Sequence, residues 1–488
     1  MRDEDVAPNP QLMESMRAVG YTLETAVADI VDNSITAGAD QVDVRFTTTP
    51  EPRIAVIDNG SGMDQQTLVL AMRLAGRPPS AQRQSHDLGR FGLGLKTASL
   101  SQARSLTVAS KQDGVLRAVR WDLDHLKVTG KWSLQVLSMP ETRSLPWLES
   151  LDSYEAGTLV VWEKLDQLHL GPESAEKELD EHMHRVSDHL KLVFHRFASA
   201  KVPPLRRPLT LRVNGARLPK VDPFLTDNPA TQWGPHERIQ VKDAMVDVQP
   251  YTLPHISKLN TRDRNAALLA GSLRDSQGFY IYRAGRLVLW GTWFRIIPRD
   301  ELAKLARVQV DIPNSLDDLW ALDIKKSAAS PPPEIRQRLR QIADRIVYPS
   351  RRVHVHKGRT KGDSDKVARL WNLIEDRDNT FRYEINTNHP LVVLLSESLD
   401  GRANAALTHL LRALESTFPV EDAYARLGSD NSHTPSIVEQ AELAGLVRIF
   451  HRSTGDEDAQ AIAQRLALME PFSRILDLES FVREAISE

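Results

Sequence analysis

The first clear pattern of apolar and polar positions lies between Thr22 and Ala37. Four apolar residues recur there at helical spacing: Leu23, Val27, Ile30 and Val31. Thr22 is a suitable N-terminal cap and Gly38 a suitable stop. The pattern therefore predicts one helix over this stretch.

Short alternating runs follow this helix and predict β-strands: QVDVRFTTT, RIAVID, SLTVAS, VLRAVRWDL, WSLQVL and TLVVWEKL. The alternation favours a mostly antiparallel sheet with one buried face, covered by a layer of helices. Residues 59–95 interrupt the pattern with a stretch rich in Gly, Pro, Ser, Arg and Gln. A connection of that length is usually functional.

Helical and extended patterns alternate again in the middle of the chain. A charged periodic segment from Glu173 to Phe197 predicts a helix, and the prolines behind it indicate a domain boundary near residue 200. Strand patterns run from LTLRVNG to ARVQVDIP, and PPPEIRQRLRQIADRIV then predicts a helix with prolines in its first turn. We interpret residues 1–200 and 201–350 as two domains, the second of α+β type.

The last part of the chain has a different character. The polar, basic segment RRVHVHKGRTKGDSDK predicts a linker over residues 351–364. Residues 365–488 are helical in character, most strongly in LVVLLSESL, ALTHLLRALESTF and IVEQAELAGLVRIF. Because this sequence holds no recognisable catalytic motif, we interpret it as a docking or dimerisation region.

Composition narrows the class of protein. The 488 residues include 62 Lys and Arg against 65 Asp and Glu, so no whole-chain charge attracts nucleic acid or a membrane surface. The chain has no cysteine, which excludes disulfides, thiolate catalysis and cysteine-bound metals. The acidic start MRDEDVAPNP is unlike a signal peptide, and no run of about 18 apolar residues occurs. We therefore expect a cytoplasmic protein with no membrane partner.

Candidate chemistry begins on the first predicted helix. Asp29 and Asn33 lie one turn apart, so they share a face, with Asp32 beside them. A carboxylate there can orient or deprotonate a water, and an amide oxygen can ligate a hard cation such as Mg²⁺. Taken alone, the pair is more often a solvated polar face.

Two glycine-containing motifs follow. In DNGSGM, Asp58 ends a strand, and Gly60 and Gly62 free the backbone for close approach. A buried carboxylate there could accept from an exocyclic amine such as that of adenine, although a tight turn explains the motif equally well. In GRFGLGLKTASLSQ, glycines lead into a helix predicted to begin near Leu93, and the N–H groups at a helix start suit phosphate.

In this order and spacing the three motifs resemble the N, G1 and G2 boxes of the GHKL ATPases, the family of gyrase B, MutL, the ninety-kilodalton heat-shock chaperone, MORC proteins and sensor histidine kinases. ADIVDNSITAGAD is especially similar to the MutL and MORC versions, and Gly157-Thr158 is similar to the late glycine–threonine element. The resemblance implies an α+β chain: a GHKL (Bergerat) α/β sandwich, a β-α-β transducer domain and a C-terminal helical region.

The resemblance also implies ATP and Mg²⁺ as cofactors and a role for each motif residue. Asp29 stands at the general-base position, which is usually Glu, while Asn33 would ligate Mg²⁺ and Asp58 would accept from the adenine amino group. Lys326, or its neighbour Lys325, would be the sensor lysine of the transducer domain, unless both are simply solvated. The remaining positions would line the base, wrap the phosphates or support Asp58: Gly60, Gly62, Met63, Gly89, Arg90, Phe91, Gly92, Leu93, Gly94, Leu95, Lys96 and Thr158.

The chain is most similar to prokaryotic MORC-like and MutL-like ATPases of restriction-associated and anti-phage defence systems. This implies slow ATP hydrolysis that drives an ATP-gated homodimer or clamp on double-stranded DNA, with partner proteins of a defence complex. Residues 1–20 could exchange between subunits. Basic residues of the linker could touch DNA or form a soluble hinge: Arg351, Arg352, Lys357, Arg359 and Lys361.

Two alternatives follow from the same residues. An ATP-binding scaffold or chaperone-like protein with little turnover fits Asp29 in place of Glu. A histidine kinase would need a phospho-acceptor histidine before the ATPase domain, and the residues that precede the first predicted helix include none.

Overall fold

The structure is a computed structural model, and it divides into two compact units, Met1–Val355 and His356–Glu488. It describes residues 9, 11–17, 20–73, 88, 94–168, 174–200, 202–269, 271–297, 299, 303–317, 319–320, 331–355, 367–375, 381–420, 440–455, 458–475 and 477–487. The first unit contains two large sheets, and the second contains a small one with helices.

The first sheet of the first unit has eight strands: β1 Gln41–Thr47, β2 Arg53–Asp58, β3 Ser105–Gln112, β4 Val115–Asp122, β5 Gln135–Val136, β6 Gly157–Glu163, β7 Thr210–Val213 and β8 Ala216–Arg217. Their order is β5-β4-β3-β6-β2-β1-β7-β8. Neighbours pair antiparallel except β1 and β7, which confirms the predicted mostly antiparallel sheet. Because β7 and β8 follow residue 200, the sheet extends past the predicted domain division.

The helices described around this sheet are α1 Gln11–Met16, α2 Leu23–Thr36, α3 Gln65–Met72, α4 Gly94–Gln102, α5 Leu123–Thr129, α6 Met139–Arg143, α7 Leu148–Asp152, α8 Ala175–Val193 and α9 His195–Ser199. The central strands are covered on both faces, although the alternation predicts one buried face. In β2, Ile54 and Val56 join the core that contains α2 and α8, whereas Ala55 and Ile57 pack with Leu148 of α7. The short helices α6 and α7 therefore cover the second face.

Helix α2 forms where the periodicity predicts it. Thr22 caps its start in an extended conformation and forms a capping box with Thr25. Gly38, with φ of +79°, follows its end. The apolar face is buried in the first core, where each large aliphatic side chain stabilises the fold by roughly 1.5–3 kcal/mol. Burial fixes the rotation of α2, and hence the direction of its polar residues.

The second sheet of the first unit contains β9 Gln232–Trp233, β10 Glu237–Val241, β11 Ala244–Thr252, β12 Gly278–Arg283, β13 Arg286–Thr292 and β14 Ala306–Ile312. The order is β10-β11-β14-β12-β13, with β9 on β11. Helices α10 Thr261–Leu268 and α11 Pro333–Val355 accompany it. Helix α11 begins at the predicted prolines, packs on β10, β11 and β14, and continues past residue 350, where the composition predicts a linker.

The second unit is built from the hairpin β15 Trp371–Glu375 and β16 Phe381–Ile385 and the helices α12 Pro390–Ser398, α13 Gly401–Ser416, α14 Gln440–Thr454, α15 Ala459–Leu466 and α16 Leu478–Ser487. Its core comes mainly from the last three helices. The predicted helices are present, whereas the hairpin was not predicted. Among the residues described, no helix is both long and apolar enough to cross a membrane.

Candidate active site

The predicted pair on α2 lies one turn apart, but its two side chains have different surroundings. Asp29 is 4 % exposed, and its Oδ2 accepts a hydrogen bond of 3.0 Å from Tyr21 Oη. Asn33 is exposed. A fixed carboxylate beside an exposed amide can hold a water on one side and a hydrated cation on the other.

A buried arginine of the second sheet faces the same helix. Arg286 Nε lies 2.8 Å from Asp32 Oδ2, and Arg286 Nη2 lies 3.7 Å from Asp29 Oδ1. The three side chains are at most 5 % exposed. Because buried charge is costly without a partner, this cation compensates two carboxylates that would otherwise repel each other.

Asp58 ends β2 and is also buried, but its partners are neutral donors. Ser34 Oγ donates to Oδ2 at 2.7 Å, and the Gly60 amide donates to Oδ1 at 2.8 Å. Burial raises the pKa of Asp58, while the hydrogen bonds from Ser34, Gly60 and Thr158 oppose that shift. Each carboxylate oxygen can accept more than one hydrogen bond, so Asp58 can still receive an amine.

The turn after Asp58 depends on a glycine. Gly62 has φ of +66°, and a Cβ there would lie 2.0 Å from the Lys111 carbonyl oxygen. The next residue, Met63, donates its amide to Ser110 Oγ at 2.8 Å. The turn is therefore fixed to β3 by a close backbone approach and one hydrogen bond.

Strand β6 completes this corner, because Thr158 is the register partner of Asp58. Ser110 Oγ lies 3.4 Å from Thr158 Oγ1 and donates to the Gly157 carbonyl at 3.1 Å. A Cβ at Gly157 would lie 2.2 Å from the Asp58 carbonyl oxygen. Asp58 and Met63 of the DNGSGM motif and Thr158 of the late glycine–threonine element are thus brought together near Ser110.

The described part of the glycine-rich motif begins at Gly94, the first residue of α4. A Cβ added at Gly94 would lie 3.5 Å from Asp29 Oδ2, so this helix starts beside the Asp29 carboxylate. Leu95 is half-buried and packs on the first core. Lys96 is buried, donates from Nζ to the Ala71 carbonyl at 2.9 Å, and has a pKa lowered to about 8 by burial.

Several predicted residues lie outside the described part of the chain: Gly89, Arg90, Phe91, Gly92, Leu93, Lys325 and Lys326. Their roles stay predictions, as do those of the linker residues Lys357, Arg359 and Lys361.

Sequence reasoning missed three residues that hold the site. Ser34 is a polar position inside the buried face of α2, between Ile30 and Ile35, and that irregularity was a usable signal. Ser110 is an ordinary strand serine, and no local pattern distinguishes it. Arg286 is separated from Asp32 by 254 positions, so only the tertiary structure reveals the pair.

Residues 21–158 match the family model described as histidine kinase-, DNA gyrase B- and HSP90-like ATPase. This region is a GHKL ATPase domain. The match contains the α2 carboxylates, Asp58 and its turn, the glycine-rich segment and Thr158. The family and the α+β class predicted from the motifs are confirmed.

Curated relatives agree with this assignment over a limited length. The chain is 32 % identical over 114 residues to the DNA mismatch repair protein MutL of Dictyoglomus turgidum, covering 22 % of this chain and 20 % of that protein. MutL of Rhodospirillum rubrum is 32 % identical over 111 residues, or 22 % and 17 % of the two chains. ATPase morc-1 of Caenorhabditis elegans is 28 % identical over 96 residues, or 20 % and 11 %. The chain thus matches a fifth or less of the length of these relatives.

The residues of the GHKL domain fit a nucleotide with Mg²⁺. Asp58 provides a buried acceptor for an amine, and residues 60–62 provide backbone whose one side chain is the small one of Ser61. Asn33 offers an exposed amide oxygen, the type of donor that Mg²⁺ prefers. Gly94 adds the start of a helix, which favours anionic groups.

Proposed function

We propose that the GHKL domain binds ATP with Mg²⁺ and hydrolyses it to ADP and phosphate. The observation that carries this proposal is the buried Asp29 carboxylate, held by Tyr21 beside the first residue of α4. In the proposed reaction Asp29 orients a water towards the terminal phosphate and accepts its proton. Because Asp is one methylene shorter than Glu, we expect slow turnover, on the order of one per minute or less, against about 10 s⁻¹ for a median enzyme.

Each of the other predicted residues would contact or support a different part of the bound nucleotide. Asn33 would ligate Mg²⁺. Asp58 would accept from the adenine amino group, with support from Thr158 and with Gly60, Gly62 and Met63 along the base. Residues 89–96 would wrap the phosphates, and Lys326, or Lys325, would contact the γ-phosphate. The hydrogen bonds around Asp58 and Ser110 support the adenine end of this assignment.

We further propose that ATP drives a homodimer or clamp that acts on DNA with partner proteins. The relatives named DNA mismatch repair protein MutL support a DNA-related role. The N-terminal segment supports exchange between subunits, because it docks through discrete contacts: Met13 of α1 is buried in the first core, and Arg17, directly after α1, donates from Nε to the Leu100 carbonyl at 2.8 Å. An exchanged segment could make the same contacts on a second subunit. A role in defence against foreign DNA rests on the sequence resemblance alone.

One observation favours the alternative, an ATP-binding scaffold with little turnover. Arg286 Nη2 lies 3.7 Å from Asp29 Oδ1 and Tyr21 Oη donates to Asp29 Oδ2, so fewer acceptor positions of this carboxylate are left for a water. In that case the protein would switch on binding and release of ATP rather than on hydrolysis.

Binding, mass and turnover of the purified chain test these proposals together. We would titrate it with a non-hydrolysable ATP analogue, follow molecular mass, and then measure ATP turnover with and without Mg²⁺ and double-stranded DNA. The clamp predicts analogue binding, a doubled mass and Mg²⁺-dependent turnover that DNA stimulates. Binding without turnover in every condition would support the scaffold, and absence of binding would contradict both.

Asn33→Ala sharpens the test of the metal role. The variant should lose the Mg²⁺ dependence of analogue affinity, because the exposed amide oxygen is removed. Asn388→Ala, at an exposed position of the second unit, is the matched control and should keep that dependence. Equal behaviour of the two variants would contradict the metal role.

A further inference from the structure

The turn that joins β12 to β13 carries two buried arginines. Arg283 ends β12 and Arg286 begins β13, and the two residues are register partners across the hairpin. Both are at most 4 % exposed. Buried arginines at a hairpin turn are unusual, because such turns normally lie in solvent.

The turn itself is pressed against the first half of the unit. Ala284 and Gly285 have φ of +48° and +83°, as a tight two-residue hairpin requires. A Cβ at Gly285 would lie 2.7 Å from Val202 Cγ1 and 3.4 Å from Phe197 Cζ. Ala284 also packs on the first core. The position of the turn relative to the GHKL domain is therefore fixed by packing as well as by charge.

Arg286 acts on the hydrolysis side of the site. It binds Asp32 through both carboxylate oxygens, at 2.8 and 2.9 Å, and approaches Asp29 at 3.7 Å. Asp29 and Asp32 are three positions apart on one helix, so without a cation their charges would repel in a buried setting. Arg286 thus compensates the proposed base from the side of Oδ1, whereas Gly94 lies beside Oδ2.

Arg283 acts on a different pair of segments. Its Nε and Nη2 each bind Asp317 at 2.7 Å, and its Nη1 donates to the Leu88 carbonyl at 3.1 Å. Leu88 directly precedes the glycine-rich motif, and Asp317 precedes the predicted sensor lysines in the sequence. One guanidinium therefore joins Leu88 and Asp317, which precede in the sequence the two groups of residues predicted to meet the phosphates.

We infer that this turn, Arg283 to Arg286, couples the second sheet to nucleotide chemistry, with Arg286 as a positioning residue for Asp29 and Arg283 as the link that makes the site sense the γ-phosphate. The inference rests on the proposed function. Arg286 would affect hydrolysis, and Arg283 would affect discrimination between ATP and ADP. The two roles can be tested separately by substituting one arginine at a time.

Arg286→Gln should lower the rate of ATP hydrolysis at saturating ATP by roughly 10- to 100-fold, because a displaced base loses its alignment with the water. Affinity for the non-hydrolysable analogue should stay within about twofold, because Arg286 does not contact the adenine corner around Asp58. Arg286→Lys, which keeps the charge, should retain an intermediate rate. The double variant Asp32→Asn/Arg286→Gln removes both charges, and it should be faster than Arg286→Gln alone.

Arg283→Gln should have a different signature. The preference for the ATP analogue over ADP should fall towards one, because Leu88 and Asp317 are no longer joined by one guanidinium. Arg238→Gln is the matched control, since Arg238 is an exposed arginine of the second sheet that forms an ion pair with Asp247. It should change neither the rate nor the preference.

Thermal unfolding of each variant separates these effects from loss of fold. If Arg286→Gln does not fold, the lysine and double variants carry the test. Equal losses of rate and affinity in the Arg283 and Arg286 variants, or a wild-type rate in Arg286→Gln, would overturn the coupling. If Asp29→Asn keeps the wild-type rate, or if the wild-type protein does not hydrolyse ATP, the proposed function has failed instead.

Discussion

The two ends of the site hold their carboxylates in different ways. Asp58 is held by Ser34 and the Gly60 amide, which are neutral donors from helix α2 and from the turn after β2. Asp29 and Asp32 depend on Arg286, a cation delivered by the second sheet. The proposed adenine end is thus complete within the GHKL domain, whereas the proposed hydrolysis end also requires Arg286 of the second sheet. Binding and turnover should accordingly respond to different parts of the chain.

The substitution expected to have the largest effect on ATP affinity is at the proposed adenine end. Asp58→Asn keeps the shape of the side chain but replaces an acceptor with a donor. ATP affinity should fall roughly 10- to 100-fold, which corresponds to loss of a hydrogen bond to a charged group of about 1.5–3 kcal/mol. Isothermal titration calorimetry with the non-hydrolysable analogue measures this change in affinity. Asp64→Asn, at the exposed cap of α3, is the control, and the same loss there would remove the special role of Asp58.

A glycine pair tests whether the turn after Asp58 needs its close backbone approach. Gly62 and Gly130 have similar φ of +66° and +63°, but a Cβ at Gly62 would meet the Lys111 carbonyl at 2.0 Å, whereas Gly130 faces open space. Gly130→Ala should cost about 1–2 kcal/mol from the left-handed backbone alone. Gly62→Ala should cost roughly 1–3 kcal/mol more, because the backbone must shift. Denaturant unfolding gives both values, and equal costs would contradict the contact.

The smallest expected effect concerns pH. Burial lowers the pKa of Lys96 from the usual 10.5 to about 8, so its ammonium loses charge as pH rises through about 8. If Lys96 helps to hold phosphate, ATP affinity should fall a few-fold between about pH 7 and pH 9, and Lys96→Arg should abolish the decline. Stability should change in the opposite sense. The cost of burying the charge is complete below about pH 8 and disappears as pH rises towards 10.5. An ATP affinity that does not change between about pH 7 and pH 9 would contradict a role for Lys96 in phosphate binding.

The sequence pattern predicted correctly those elements whose structure depends on residues close together in the chain. The α2 helix with Asp29 and Asn33 follows from periodicity and a cap, because burial of one face fixes the direction of the other. The second buried face of the sheet was not predictable in this way, since α6 and α7 have five residues each and show no period. Ser110 and Arg286 act across the fold, and local spacing carries no signal for such contacts. Family resemblance identified the motif residues but not these partners.

The most direct test of the central claim is single-turnover hydrolysis of ATP by the wild-type chain and by Asp29→Asn, at protein concentrations above the analogue Kd measured for each. The account predicts that the variant binds the analogue within about twofold of wild type and hydrolyses ATP about 10²- to 10⁴-fold more slowly, the usual contribution of a general base. Hydrolysis by Asp29→Asn at the wild-type rate, with unchanged binding, would contradict the assignment of Asp29 and with it the division between the two ends of the site.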